Sequence, residues 1–273
     1  MSSEQELTHG EQRALLQEAS LAASLAASGM GSLRRANFAN QGDYYQAFFG
    51  ISISLERMLK LIVSCETYLE RGQFATDKEL RKLSHKLVDG FARVRSYGYE
   101  RDWPLGSSST TEMLEVFSRF AVTDRYHNFD YLGKGEGEGP SASSGPVADW
   151  YSTVLSHLPV SKLELSRVQG MKWREVQHME EKMPALSILG FTSETGEPLN
   201  TVAGQYVHEI ISERVRIEGS VMTARLYRYL SRAFQELDWK FHAEVKNAPN
   251  FTDFFYLWLN GDAFIRGRKT FVK

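Results

Sequence analysis

Residues Asp43–Glu70 constrain this chain more than any other stretch. Phe48, Ile51, Leu55, Met58, Leu59, Ile62, Cys65 and Leu69 recur at spacings of three and four, which places them on one face of a helix. Tyr44, Tyr45, Phe49, Ile53, Leu61 and Val63 add apolar surface elsewhere around the same helix. A helix that is apolar on more than one face belongs in the middle of a bundle, covered from several directions. Gly72 is placed to stop it in a left-handed conformation. The expected fold is therefore all-α, organised around this segment.

The rest of the chain supplies helices to cover it. Glu11–Ala39 reads as helix, with Gly29 and Gly31 as an expected turn. Thr76 and Glu79 form a T-x-x-E capping box for a helix with Leu80, Leu83, Leu87, Phe91 and Val94 on one face. His85 falls about 200° from Leu83, away from that face. Gly98–Ser109 reads as a loop, and Ser109 with Glu112 as a second capping box leading into Met113, Phe117, Phe120 and Ala121. Further on, helices are expected around Asp149–His157, over Ser161–Met183 up to Pro184, and from Asn200 to Phe241. Gly219 and Ser220 are expected to divide or kink the last of these. Asn250 and Asp253 open an aromatic run ending at Leu259, and Phe264–Lys273 reads as a short strand or an extended arm. No run of alternating strands stands out.

Gly133–Val147, GKGEGEGPSASSGPV, has no apolar periodicity and is rich in Gly, Ser and Pro. It reads as a linker, so a helical lobe is expected over residues 1–132 and a second over 148–273.

Several kinds of chemistry are excluded or unsupported. The formal net charge of −2 gives no global basic excess for nucleic acid, so any such contact needs a local patch. Phosphate-loop, dinucleotide-loop, zinc-protease and nucleophile-elbow motifs are absent. The seven histidines are scattered, and neither a metal nor a cofactor is expected. The one cysteine, Cys65, sits on the apolar stripe as a core residue, a usage that fits a reducing cytoplasm. No run of about 18 uninterrupted apolar residues suggests a membrane span.

Two groups of residues carry candidate chemistry. The first is Arg119–Asp130, where Arg119, Asp124, Arg125, His127, Asn128 and Asp130 stand among Phe120, Tyr126 and Phe129. Arg125 could steady a phosphate while His127 exchanges a proton, and Asn128 and Asp130 could bind. The competing expectation is a buried network in which Arg125 pairs with a neighbouring aspartate. The second group is Arg214, Arg225, Arg228 and Arg232, which fall within about 60° of one another on a continuous helix. A phosphate would suit that stripe, but Glu209, Glu213, Glu218 and Glu236 surround it and offer intrahelical pairs instead.

FFGISISLERMLKLI, residues 48–62, followed by LRKLSHKLVDGF, residues 80–91, resembles the HEPN superfamily (higher eukaryotes and prokaryotes nucleotide-binding). Leu59-Lys60 and His85-Lys86-Leu87 carry the likeness, which spans about residues 11–132. The resemblance implies a small helical bundle that commonly dimerises, and a family of metal-independent ribonucleases and non-catalytic members in toxin and phage-defence systems. Catalytic members share an Arg and a His separated by four to six residues. Here the spacings are one for Arg125 to His127, seven for Arg119 to His127, and three for Arg81 to His85 and for Arg174 to His178. The expected function is accordingly a non-enzymatic interaction or scaffold protein, a homo-oligomer or part of a heteromeric complex, for which the resemblance implies a stress or defence system as the setting. The alternatives are a metal-independent ribonuclease, and a nucleotide- or RNA-binding sensor.

Overall fold

A computed structural model describes residues 5–101, 103–134, 145–158 and 190–271, with isolated helical positions at 174, 176, 178 and 181. Most of the expected Ser161–Met183 helix, its stop at Pro184, and residues 135–144 of the expected linker lie outside the described residues. The described chain is all-α. Its helices are α1 (His9–Arg35), α2 (Gly42–Arg71), α3 (Asp77–Arg81), α4 (Leu87–Arg95), α5 (Ser108–Val122), α6 (His127–Lys134), α7 (Pro146–Ser156), α8 (Val202–Glu244), α9 (Thr252–Phe255) and α10 (Asp262–Gly267). The strands are two residues each: β1 (Gln5–Glu6) pairs parallel with β4 (Val245–Lys246), and β2 (Phe191–Thr192) pairs antiparallel with β3 (Pro198–Leu199).

Among the described elements, α1 and α2 form the most extensive contact. Gly29 and Gly31 do not turn the chain; α1 runs through both. A Cβ on Gly29 would lie 2.9 Å from the Ile51 nitrogen, and one on Gly50 would lie 3.0 Å from the Gly29 Cα. The two glycines let the two backbones touch. Thr8 begins α1 with a capping box: its hydroxyl accepts from the Glu11 N–H at 3.2 Å, and Glu11 accepts from the Thr8 N–H at 2.8 Å. Gly72 ends α2 at φ 69°, as expected.

α8 is continuous over 43 residues, so Gly219 and Ser220 do not divide it. Gly219 is where the Trp150 ring of α7 lies against α8, and a Cβ there would fall 2.2 Å from the ring. Along its length α8 packs on α1, α2, α5 and α7. Tyr44, Phe48, Phe117, Phe120 and Trp150 interlock α2, α5 and α7, while Phe91 stacks on Tyr229 of α8 at 5.7 Å. Buried residues from Leu7 to Phe271 thus belong to one core. The described helices on the two sides of residues 133–147 share that core. Glycine and serine report on the segment that contains them. They carry no information about whether its flanks pack together.

Local expectations met mixed outcomes. Thr76 and Glu79 make the expected capping box, but the helix they start ends at Arg81 and a second begins at Leu87. Ser109 is inside α5, not its cap; the N-cap is Ser107, and Glu112 instead meets His157 at 3.0 Å. The described part of the basic tail is neither strand nor arm. Its first residues, 264–267, belong to α10, and beyond them Phe271 is buried against Trp258.

Candidate functional site

The break between α3 and α4 shapes a groove. His85 adopts φ 65°, a left-handed conformation that costs a non-glycine residue free energy and needs support. Glu56 of α2 supplies it. Its Oε2 accepts the His85 backbone N–H at 3.0 Å and lies 3.0 Å from His85 Nδ1. Glu56 Oε1 takes Lys60 Nζ at 2.6 Å, and Lys60 also donates to Ser84 Oγ at 2.8 Å. Burial pushes the Glu56 carboxyl upward, but Lys60 and the His85 N–H outweigh it and hold the group below its ordinary value. Gly90 sits against the Leu59 side chain, which brings α4 close to α2.

The groove has a volume of about 510 Å³. Ala14 and Leu15 of α1, Ile53 and Leu61 of α2, and Phe74 and Leu80 form apolar walls. Its charged lining is largely engaged. Arg57 pairs with Glu18 at 2.5 Å, Glu11 is held in the Thr8 capping box, and Glu56 has Lys60 and His85. Arg125 differs. It donates to the Ala121 carbonyl and lies 3.4 Å from His85 Nδ1, but among the described residues it makes no ion pair. The Nε atoms of Arg57 and Arg125 are both buried and, among the described residues, have no hydrogen-bond partner.

The segment Arg119–Asp130 is therefore not one site. Arg119 bridges Asp124 at 3.2 Å and Asp149 at 2.8 Å and ties α5 to the start of α7. The aspartate pair expected of Arg125 belongs to Arg119. Arg125 instead joins His85, while His127 is buried on another side, 8% exposed, with Nε2 unpartnered among the described residues. Asn128 is exposed and bonds Tyr45; Asp130 is exposed. Tyr126 and Phe129 are also exposed, at 61% and 73%.

The arginine stripe is used within the chain. Arg225 and Arg228 reach Asp262 at 2.7 and 3.0 Å, Arg228 also donates to the Asn260 carbonyl at 2.7 Å, and Arg232 donates to Gln235 at 2.8 Å. Arg214 makes an expected intrahelical pair, with Glu218 at 3.5 Å. Asp262 and Asn260 come from the chain after α8, so Arg225 and Arg228 fasten the C-terminal segment to it.

A further polar cluster gave no signal in the sequence. Glu194, in the turn between β2 and β3, is buried and accepts from Tyr44 at 2.9 Å and from His208 Nε2 at 2.5 Å. Burial raises the Glu194 carboxyl, but these donors prevail and hold it low. Ser212 Oγ lies 3.1 Å from that same nitrogen and 3.1 Å from the Tyr151 hydroxyl. A nucleophilic relay needs serine and carboxylate on opposite ring nitrogens. Here both meet Nε2, so the cluster locks the hairpin to α2, α7 and α8. Its members are 150 residues apart in the case of Tyr44 and Glu194, beyond any local pattern.

Among the described residues, no group of three or more His, Cys, Asp or Glu is placed to hold a metal ion, and no helix is long and apolar enough to cross a membrane. Comparison with protein-family models, with curated proteins and with solved structures finds no match.

Proposed function

We propose that this protein is a non-enzymatic binding protein whose groove between α1, α2 and the α3–α4 break takes an elongated apolar ligand with an acidic end. The observation that carries this reading is Arg125. It is a guanidinium with no carboxylate partner among the described residues, beside an apolar cleft of a size usual for small-molecule sites. The apolar body of the ligand lies against Leu15, Leu61, Phe74 and Leu80, and its carboxylate accepts from Arg125 and Arg57. Titrating decanoic acid and decanol into the full chain tests it. The acid binds more tightly, and Arg125→Met removes that difference, a loss of about tenfold or more for hydrogen bonds to a charged group. Equal affinity for acid and alcohol sinks the reading.

A second reading has one observation in its favour: the 3.4 Å approach of Arg125 to His85. A guanidinium beside an imidazole suits phosphodiester cleavage without metal, in line with the HEPN resemblance, though with His85 in place of His127. Incubating the protein with RNA in EDTA decides it: cleavage that disappears in His85→Ala supports the ribonuclease, and intact RNA supports the binding protein.

A further inference from the structure

A second cavity, of about 320 Å³, lies where α2, α6 and the start of α7 meet. We propose that it binds a phosphate group, either free phosphate or the end of a phosphate monoester. Two independent observations meet there. The first is the N-terminus of α7, an 11-residue helix whose N-cap is Gly145 and whose first residue is Pro146. Glycine offers no capping side chain and proline has no N–H, so among the described residues no side chain caps the N–H groups of Val147 and Ala148, which suit an outside acceptor at the positive end of the helix. Both residues line the cavity. The second is His127. It is 8% exposed, it lines the same cavity, and its Nε2 has no partner among the described residues. A buried imidazole nitrogen without a partner is costly unless something else meets it. Gly145 places the two together: a Cβ there would stand 3.1 Å from His127 Nε2.

Other donors line the cavity. Gln41 and Asn128 bring amide groups, and Tyr45 brings a hydroxyl already bonded to Asn128. The number of donors suits the several oxygens of a phosphate better than the two of a carboxylate. The acidic neighbours are occupied. Glu194 lines the cavity, but its oxygens accept from Tyr44 and His208; Asp124 and Asp149 both pair with Arg119.

The test is calorimetric titration of the full chain in chloride buffer with inorganic phosphate and, separately, with glycerol phosphate. Saturable binding of either is expected, and the tighter of the two shows whether the free or the esterified group is the ligand. His127→Phe, which keeps a ring against Gly145, weakens binding by about tenfold or more, and Asn128→Ala by a few-fold. Melting in chloride alone shows whether each variant is folded. Should His127→Phe fail to fold, the imidazole nitrogen resonances of the wild-type chain give an independent readout, since phosphate shifts those of His127. Absence of binding for both anions, unchanged affinity in a folded His127→Phe, or unmoved His127 resonances at saturation each overturns the proposal.

Discussion

At Gly219 two tendencies oppose each other. Glycine inside a helix costs about 1 kcal/mol relative to alanine, so an exposed Gly→Ala change in α8 would stabilise. Here the new methyl would meet the Trp150 ring at 2.2 Å and Val154 at 3.0 Å. Overpacking of that kind costs about 1–3 kcal/mol, so Gly219→Ala should lower the urea midpoint. An unchanged or higher midpoint would show that Trp150 shifts freely. His85 gives the opposite sign. Its left-handed backbone is easy for glycine, and its imidazole is half exposed at 51%, where an ion pair with Glu56 is worth little. The Glu56 bond to the backbone N–H survives substitution. His85→Gly should therefore melt at the same temperature or higher, while losing any function that needs the ring. Neither position could be interpreted from its neighbours in sequence. The break at His85 lies inside a run whose apolar spacing continues from Leu80 to Val94, and a positive φ leaves no mark on that spacing. Only the capping box at Thr76 and the stop at Gly72 were readable, because their partners are three or four residues away.

Among the elements, α9 shows how a cap can come from a distance. Asn250 and Asp253 had the right types for a helix start, but Asp238 of α8 does the capping, accepting from the Phe251 and Thr252 N–H groups at 3.0 and 2.8 Å and from the Thr252 hydroxyl at 2.6 Å. α10 is held in a similar way by Asp262. Burial raises its carboxyl, but Arg225 and Arg228 prevail and hold it below the ordinary value of 3.8. A carboxyl depressed in the folded state contributes stability above its unfolded value and loses it as pH falls through the folded one. Asp262→Asn should thus destabilise at neutral pH by about 1–3 kcal/mol, and should do so less below about pH 4. Denaturant midpoints across that range check the sign; a deficit that grows in acid would contradict it. The arginines were visible as a stripe in the sequence, and the glutamates around them suggested partners on the same helix. The partners of Arg225 and Arg228 lie 37 and 32 residues later, a distance that helical periodicity does not cover.

For the molecule as a whole, a single core predicts a single transition. Thermal unfolding followed by far-ultraviolet and near-ultraviolet circular dichroism should coincide, and Trp150→Ala, which empties a site shared by α2, α7 and α8, should shift both together by about 3–5 kcal/mol. Two separate transitions would restore the division into independent lobes. The central place of Asp43–Glu70 was legible because an all-round apolar helix has few alternatives. The cavities were not: each is lined by residues from three or more separate stretches of chain, and only Arg125, His127 and Asn128 stood out beforehand, as neighbours that the fold then turned toward different sites.

The pairing of Gln5–Glu6 with Val245–Lys246, and the contact of α2 with α8, have a consequence for how this chain is made. α2 is finished at Arg71, yet its covering helix α8 is completed only at Glu244, 173 residues later. At roughly 5–20 residues per second, that leaves an oily helix waiting about 10–35 s for its partner. Nascent chains stalled ahead of Val202 should therefore engage chaperones or aggregate, and those stalled with Val245 fully emerged should resist protease.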